Sequence, residues 1–190
     1  AAEAGIGWIH QMFPWEEIEP RPGYYWNDDY RRSTWDKFDE IVSLAQQYRM
    51  RIIARLDKPP KWALAEPGTS SLPVAREEDF ANFVRTVVAR YKGQIQHFQI
   101  WNEPNLAAEW NNQDVDPAAY ARLLAVAAKA AREVNPDAVI ISAPLAQTLE
   151  QGPRNLDDIT FLEGMYQAGA QEYFDILGAN AYGFEQPPTA

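Results

Sequence analysis

The sequence contains no cysteine, so disulfides and thiolate metal sites are excluded. That absence leaves the compartment open. Histidine is scarce as well: His10 and His97 are the only two, and neither has a partner at metal-site spacing. No apolar stretch is long enough to span a bilayer. No signal peptide is visible, but the chain starts at Ala1 without Met, so it is expected to begin after processing or inside a longer protein. Positive charge is in deficit. The 17 Lys+Arg face 27 Asp+Glu, a formal net charge of -10, which argues against nucleic acid as a partner because phosphate binding needs concentrated positive charge. A Gly-rich phosphate loop after an early strand is missing too. Gly5 and Gly7 precede a strand rather than follow one, which weakens a doubly wound dinucleotide-binding sheet.

The 190 residues suit one domain with ample core, and 46% hydrophobic with 23% charged residues is ordinary globular composition. Short apolar runs alternate with longer amphipathic segments, the pattern of βα units on a parallel sheet. Strands are expected at 6–13, 50–56, 95–101, 138–143 and 174–181. Helices are expected at 34–48, 78–91, 117–134 and 159–168, the third opened by Asp116 as N-cap with Pro117 at the first helical position. Residues 16–27, rich in Pro and Gly, read as a long loop, and Pro59 and Pro60 close the second strand.

The most informative stretch is Phe98-Gln99-Ile100-Trp101-Asn102-Glu103-Pro104-Asn105. An apolar run ends in a carboxylate flanked by an amide and by a proline that cannot donate to a ladder. Glu103 is then held at the C-terminal mouth of a strand, where parallel barrels carry their chemistry. The Asn-Glu-Pro run resembles the acid/base motif of retaining glycoside hydrolases built on a (β/α)8 barrel, nearest to the β-xylosidase and α-L-iduronidase group. Three further segments resemble that group in the same order: residues 5–26, residues 56–63 (Leu-Asp-Lys-Pro-Pro-Lys-Trp-Ala) and residues 179–183 (Ala-Asn-Ala-Tyr-Gly).

The resemblance implies a TIM (β/α)8 barrel of which residues 1–190 hold the second to sixth strands, a partial barrel truncated at both ends relative to the family. It implies hydrolysis of a β-linked glycoside or polysaccharide by retaining double displacement, with Glu103 as acid/base and no cofactor. Asn102 would bind the sugar's 2-hydroxyl, and Tyr182 would orient the nucleophile. That nucleophile is a Glu at the end of the family's seventh strand, and no residue here matches it. Carbohydrate is the expected partner, the remainder of the barrel or a partner chain is expected to cover exposed strand edges, and an extracellular or cell-envelope location is expected. The second reading is a barrel without catalysis that serves as a carbohydrate-binding or assembly module.

Several residues keep two readings. The 7 Trp, 9 Tyr and 8 Phe pack a core for the most part, while Trp62 and Trp101 could also stack on sugar rings. Trp62 follows two prolines in a loop, which favours binding, whereas Trp101 is balanced between stacking and core wall. Asp57, at a strand end, either binds a hydroxyl or caps its loop. His10 stands where many relatives carry Arg, and Asn180 where they often carry His. Both can still bind hydroxyls, although His10 reads equally as an inward hydrogen-bonded barrel residue. His97 reads as structural, Glu185 as a loop charge, and the plain alternative for Glu103 is a solvated loop carboxylate.

Overall fold

Burial alternates along the apolar run at 51–57 and is nearly continuous along those at 97–100 and 139–142. The computed structural model describes residues 4–66 and 68–182. Along the chain come β1 (Trp8–Pro14), the one-turn α1 (Trp15–Ile18), β2 (Trp26–Asn27), β3 (Arg32–Ser33), α2 (Asp36–Gln47), β4 (Arg51–Asp57), α3 (Glu77–Arg90), β5 (His97–Ile100), α4 (Pro117–Val134), β6 (Val139–Ser142) and α5 (Asp158–Gln167). The parallel sheet has the order β1-β4-β5-β6, each strand joined to the next through a helix. In β4, Ile52, Ala54 and Leu56 are buried on the side of the helices. The alternate residues Ile53 and Arg55 face the concave side. A side-chain period of two separates these two sets.

Helix starts follow their local chemistry. The Asp116 carboxylate accepts the Ala118 N–H at 2.9 Å and Pro117 opens α4. Asp157 accepts the Thr160 N–H at 2.9 Å to start α5. For α3 no side chain caps the start; Glu77, Glu78 and Asp79 instead place negative charge in the first turn, where the helix dipole favours it. Buried alanines along α4, among them Ala119, Ala127, Ala128 and Ala131, keep its inner face thin enough for close packing.

The aromatic wealth is largely core. Trp15 stacks on Phe83 with ring centroids 5.2 Å apart, Trp101 meets Phe80 and Trp110 edge-on at 5.7 and 5.6 Å, and Trp110 meets Tyr120 at 6.3 Å. This row lies between the strand ends and α3 and α4. It ties the top of the sheet to the helices.

Four features differ from the sequence expectation. The expected strand at 174–181 is reduced to one parallel bridge, Ile176 to Ile141. Its backbone does run beside β6: Ile176 N–H donates to Ile140 O at 3.2 Å and Ser142 N–H to Ile176 O at 3.0 Å. At Asp175, however, the side chain takes the Ile140 N–H at 2.7 Å, a contact the strand register would give to backbone. Gly178 then passes so close to β6 that a Cβ there would stand 2.4 Å from Ser142 O, which explains glycine at that point. Second, residues 16–27 are not all loop. They hold most of α1, and Trp26 and Asn27 pair with Ser33 and Arg32 as a short hairpin. Third, β5 ends at Ile100, because Trp101 turns out of the ladder before Pro104 is reached. Fourth, β1 begins at Trp8, two residues later than expected. Gly183 and Glu185 lie outside the described residues.

Candidate active site

Backbone strain marks where the chemistry-bearing residues gather. Among the described residues seven non-glycine positions have positive φ, and five of them (Lys58, Trp101, Glu103, Asn111 and Asn112) sit just after β4 or in the segment that follows β5. For a Trp, φ near 71° is a true outlier, worth about 1–3 kcal/mol of strain. It is held from every side. Trp101 N–H donates to Leu56 O at 3.0 Å, and its carbonyl accepts from Gln99 Nε2 at 2.7 Å. Its indole N–H donates to Glu109 O at 2.8 Å. The result is a sharp exit from β5 that sends Asn102 to the concave side.

Glu103 follows, half-buried, with its N–H donating to Pro144 O at 3.0 Å. Asn180 Nδ2 donates to Glu103 Oε1 at 2.7 Å across 77 residues of sequence. Asn102, Asn180 and Tyr182 line one cavity of about 620 Å³, together with His10, Arg55 and Gln99. Glu103 borders this cavity through its bond to Asn180. Towards the N-terminal strand ends the same space is bounded by Trp8 and His97, whose rings meet edge-on at 4.8 Å. In a closed barrel that lower part is filled by side chains, and the working end is the C-terminal one. Among the described residues lining the cavity there is no Asp or Glu.

The floor of the cavity is a polar relay. Gln99 is buried, and because its Nε2 is committed to Trp101 O, its Oε1 is the atom facing His10 Nε2 at 2.9 Å. His10 therefore donates through Nε2. Burial lowers its pKa, opposed by the bond to Gln99 and assisted by the nearby Arg55 charge, which favours neutral imidazole. A neutral His10 brings no fixed cation to the cavity. Arg55, on the neighbouring strand, supplies positive charge to the same cavity; sequence reading missed it because an arginine inside an apolar strand carries no motif.

Other candidates fall elsewhere. Trp101 is 3% exposed and belongs to the aromatic core, which corrects its stacking role. Trp62 is half-buried, edge-on to Trp15 at 5.3 Å, with its indole N–H on Glu19 O at 3.1 Å, so it closes the core beneath its loop instead of lining the cavity beside Asn180. His97, at the N-terminal end of β5, lines the lower part of the cavity beside Trp8. Asn105 was missed altogether. It is fully buried, donates to Ala146 O and Leu156 O at 2.8 and 2.9 Å, and accepts the Ala146 N–H at 2.9 Å.

Asp57 is 1% exposed and 2.8 Å from Arg55 Nε. The approach is an ion pair without hydrogen-bond alignment, since neither carboxylate oxygen nor that Nε has a hydrogen-bond partner among the described residues. Burial pushes the Asp57 pKa up to about 6, against the opposing pull of Arg55 and Lys58. A folded-state pKa above the unfolded one means the folded state binds the extra proton. Stability contributed here is present below pH about 4 and is lost as pH rises through about 6. The shift corresponds to about 3 kcal/mol. Urea melts between pH 4.5 and 7 should show this decline, and Asp57→Asn should flatten it. An unchanged slope in the variant would disprove the assignment.

Comparison with known proteins follows the same lines as the geometry. A family model described as cellulase (glycosyl hydrolase family 5) matches residues 2–155. Among solved structures, a family 39 glycoside hydrolase from the gut symbiont Bacteroides cellulosilyticus WH2 superposes with a TM-score of 0.71 at 22% identity, over 98% of this chain and 35% of that one. A GH39 β-xylosidase from Caulobacter crescentus gives 0.60 at 18% identity, over 94% and 40%. The exo-β-1,4-mannosidase Op5Man5 from Opitutaceae bacterium strain TAV5 gives 0.59 at 21%, over 74% and 26%. At these identities the likeness shows the fold, a part of a TIM barrel, and the chain spans well under half the length of these proteins. Among the curated proteins, none matches.

Proposed function

The chain belongs to the cellulase family of glycosyl hydrolases, family 5, and from that membership we propose that it carries the acid/base half of a retaining site that hydrolyses a β-linked glycoside or polysaccharide. The observation that carries the reading is Glu103, set on strained backbone at the end of β5 and oriented by Asn180 at 2.7 Å beside a polar cavity. Glu103 protonates the departing glycosidic oxygen and then takes a proton from the water that releases the sugar. Asn102, on the cavity wall next to it, holds the hydroxyl adjacent to the anomeric carbon, a contact that tightens as positive charge develops there. Arg55 places a positive charge at the cavity floor.

Retention requires a second carboxyl about 5–5.5 Å from the first, acting as nucleophile. The described cavity residues do not supply it, so in this reading it comes from outside them. The mechanism is tested by following hydrolysis of an aryl β-glycoside by NMR before the product mutarotates. The β-anomer should appear first. Initial α-anomer would overturn double displacement, and saccharide binding with no hydrolysis by the whole protein would favour the carbohydrate-binding module instead.

A further inference from the structure

The ladder between β5 and β6 ends at the Ile100–Ser142 pair, and two buried side chains bond the backbone at and just beyond that point. Tyr120 of α4 does so from the side of the helices. Its hydroxyl donates to Ile100 O at 3.0 Å and accepts the Ala143 N–H at 2.6 Å. Gln99 of β5 does so from the cavity side. Its Nε2 donates to Trp101 O at 2.7 Å, and its Oε1 accepts from His10 Nε2 at 2.9 Å. We propose that Gln99, held in orientation by His10, is a positioning residue for Glu103 and acts through the Trp101 carbonyl. The proposal rests on the acid/base reading above and deepens it.

Left-handed backbone is unfavourable for both Trp101 (φ 71°) and Glu103 (φ 42°), and such strain persists only where the surroundings over-determine it. The Trp101 carbonyl belongs to the peptide that leads into Asn102. Relaxing that peptide swings the carbonyl away from Gln99 Nε2 and leaves a buried acceptor without its donor. Glu103 is anchored further on by its N–H on Pro144 O at 3.0 Å and by Asn180 on its carboxylate at 2.7 Å. Those bonds reach it from the segment after β6 and from residue 180. The Gln99 bond is the one that fixes its approach from β5.

His10 decides which way the Gln99 amide points. A glutamine amide has a donor end and an acceptor end of nearly the same shape. Turned over, it would set Oε1 against the Trp101 carbonyl, acceptor against acceptor. The His10 Nε2–H favours the orientation that places Oε1 on itself and Nε2 on Trp101 O. Gln99 is 5% exposed, so a substitution that removes its amide leaves Trp101 O without a ready replacement. Tyr120 differs in kind: it is fully buried in the core on the helix side, and its loss falls on stability first. Gln99 and His10 line the cavity beside Asn102, where a small displacement of the β5 exit is felt by the acid.

The test is steady-state kinetics of the whole protein on two glycosides, one with a sugar leaving group and one with an activated aryl group. Gln99→Met keeps the length of the side chain and removes its amide. It should lower kcat/KM on the sugar leaving group by about 10–100-fold, the scale of misplacing a reacting group by about an ångström, and on the aryl glycoside by less than about threefold. His10→Phe should give the same split at smaller size, and His10→Gln, which returns a donor near the place of Nε2, should recover most of the loss. Val42→Ala, in the core under α2, lowers stability away from the segment and should show no split. Equal losses on both substrates for Gln99→Met would overturn the positioning role, since a protein that is merely less folded loses both alike. His10 sits at an exposed position, so His10→Phe carries the test even if Gln99→Met does not fold, and kinetics equal to the parent would overturn the proposal. In either case a split that persists in Glu103→Gln leaves the proposed function standing. A parent protein that hydrolyses neither glycoside would overturn both.

Discussion

Glu103→Gln is expected to lower kcat/KM on glycosides with poor leaving groups by about 10²–10⁴-fold, the usual contribution of a positioned general acid. The parameter matters because kcat/KM reports the first irreversible step, cleavage of the glycosidic bond. With an alkoxide or sugar leaving group that step needs a proton. With an activated aryl leaving group it hardly does, so kcat/KM on an aryl glycoside should fall far less. Gln keeps the size of the side chain and can still face Asn180, so the split between substrates isolates proton donation from misplacement. Equal losses on both substrates would remove Glu103 from the acid/base role.

The second large effect is expected at Asn105. Its side chain makes three hydrogen bonds to the segments at 146 and 156, and its own carbonyl accepts the Leu156 N–H at 2.9 Å. Asn105→Ala strands the half-buried Ala146 N–H and two carbonyls, at a cost of about 2–4 kcal/mol. For a domain of this size that corresponds to a melting temperature lower by roughly 4–16 °C. The loop it pins includes Pro144, whose carbonyl holds the Glu103 N–H, so the acid should lose its fixed position along with the stability. Differential scanning calorimetry gives the answer, and a melting temperature equal to that of the parent protein would show that the staple is dispensable.

Much of this architecture is readable in the sequence where one local rule dominates. The helices at α2 to α5 follow apolar periodicity and, for α4, the Asp116-Pro117 start, and each lands within about two residues of its expected ends. The motif around Glu103 and the distant Asn180 meet through one hydrogen bond of 2.7 Å. What stayed hidden depends on partners far away in the chain. Trp101 looks like a cleft wall until Phe80 and Trp110 close around it. Trp62, in a loop after two prolines, is drawn inward by Trp15 and the Glu19 carbonyl. The strand expected at 174–181 has apolar residues enough, yet Asp175 captures a β6 amide with its side chain and pairs with Arg132 at 3.1 Å. Propensity cannot foresee such a substitution of side chain for backbone.

The two-sided strands have an evolutionary corollary. Ile52, Ala54, Leu56, Phe98 and Ile100 answer to the helices, whereas Ile53 and His97 answer to the concave space. Exchanges in the second set can therefore reshape what the basin prefers while the scaffold barely registers them. Ligand preference in this chain can drift quickly under selection on a frame that stays put.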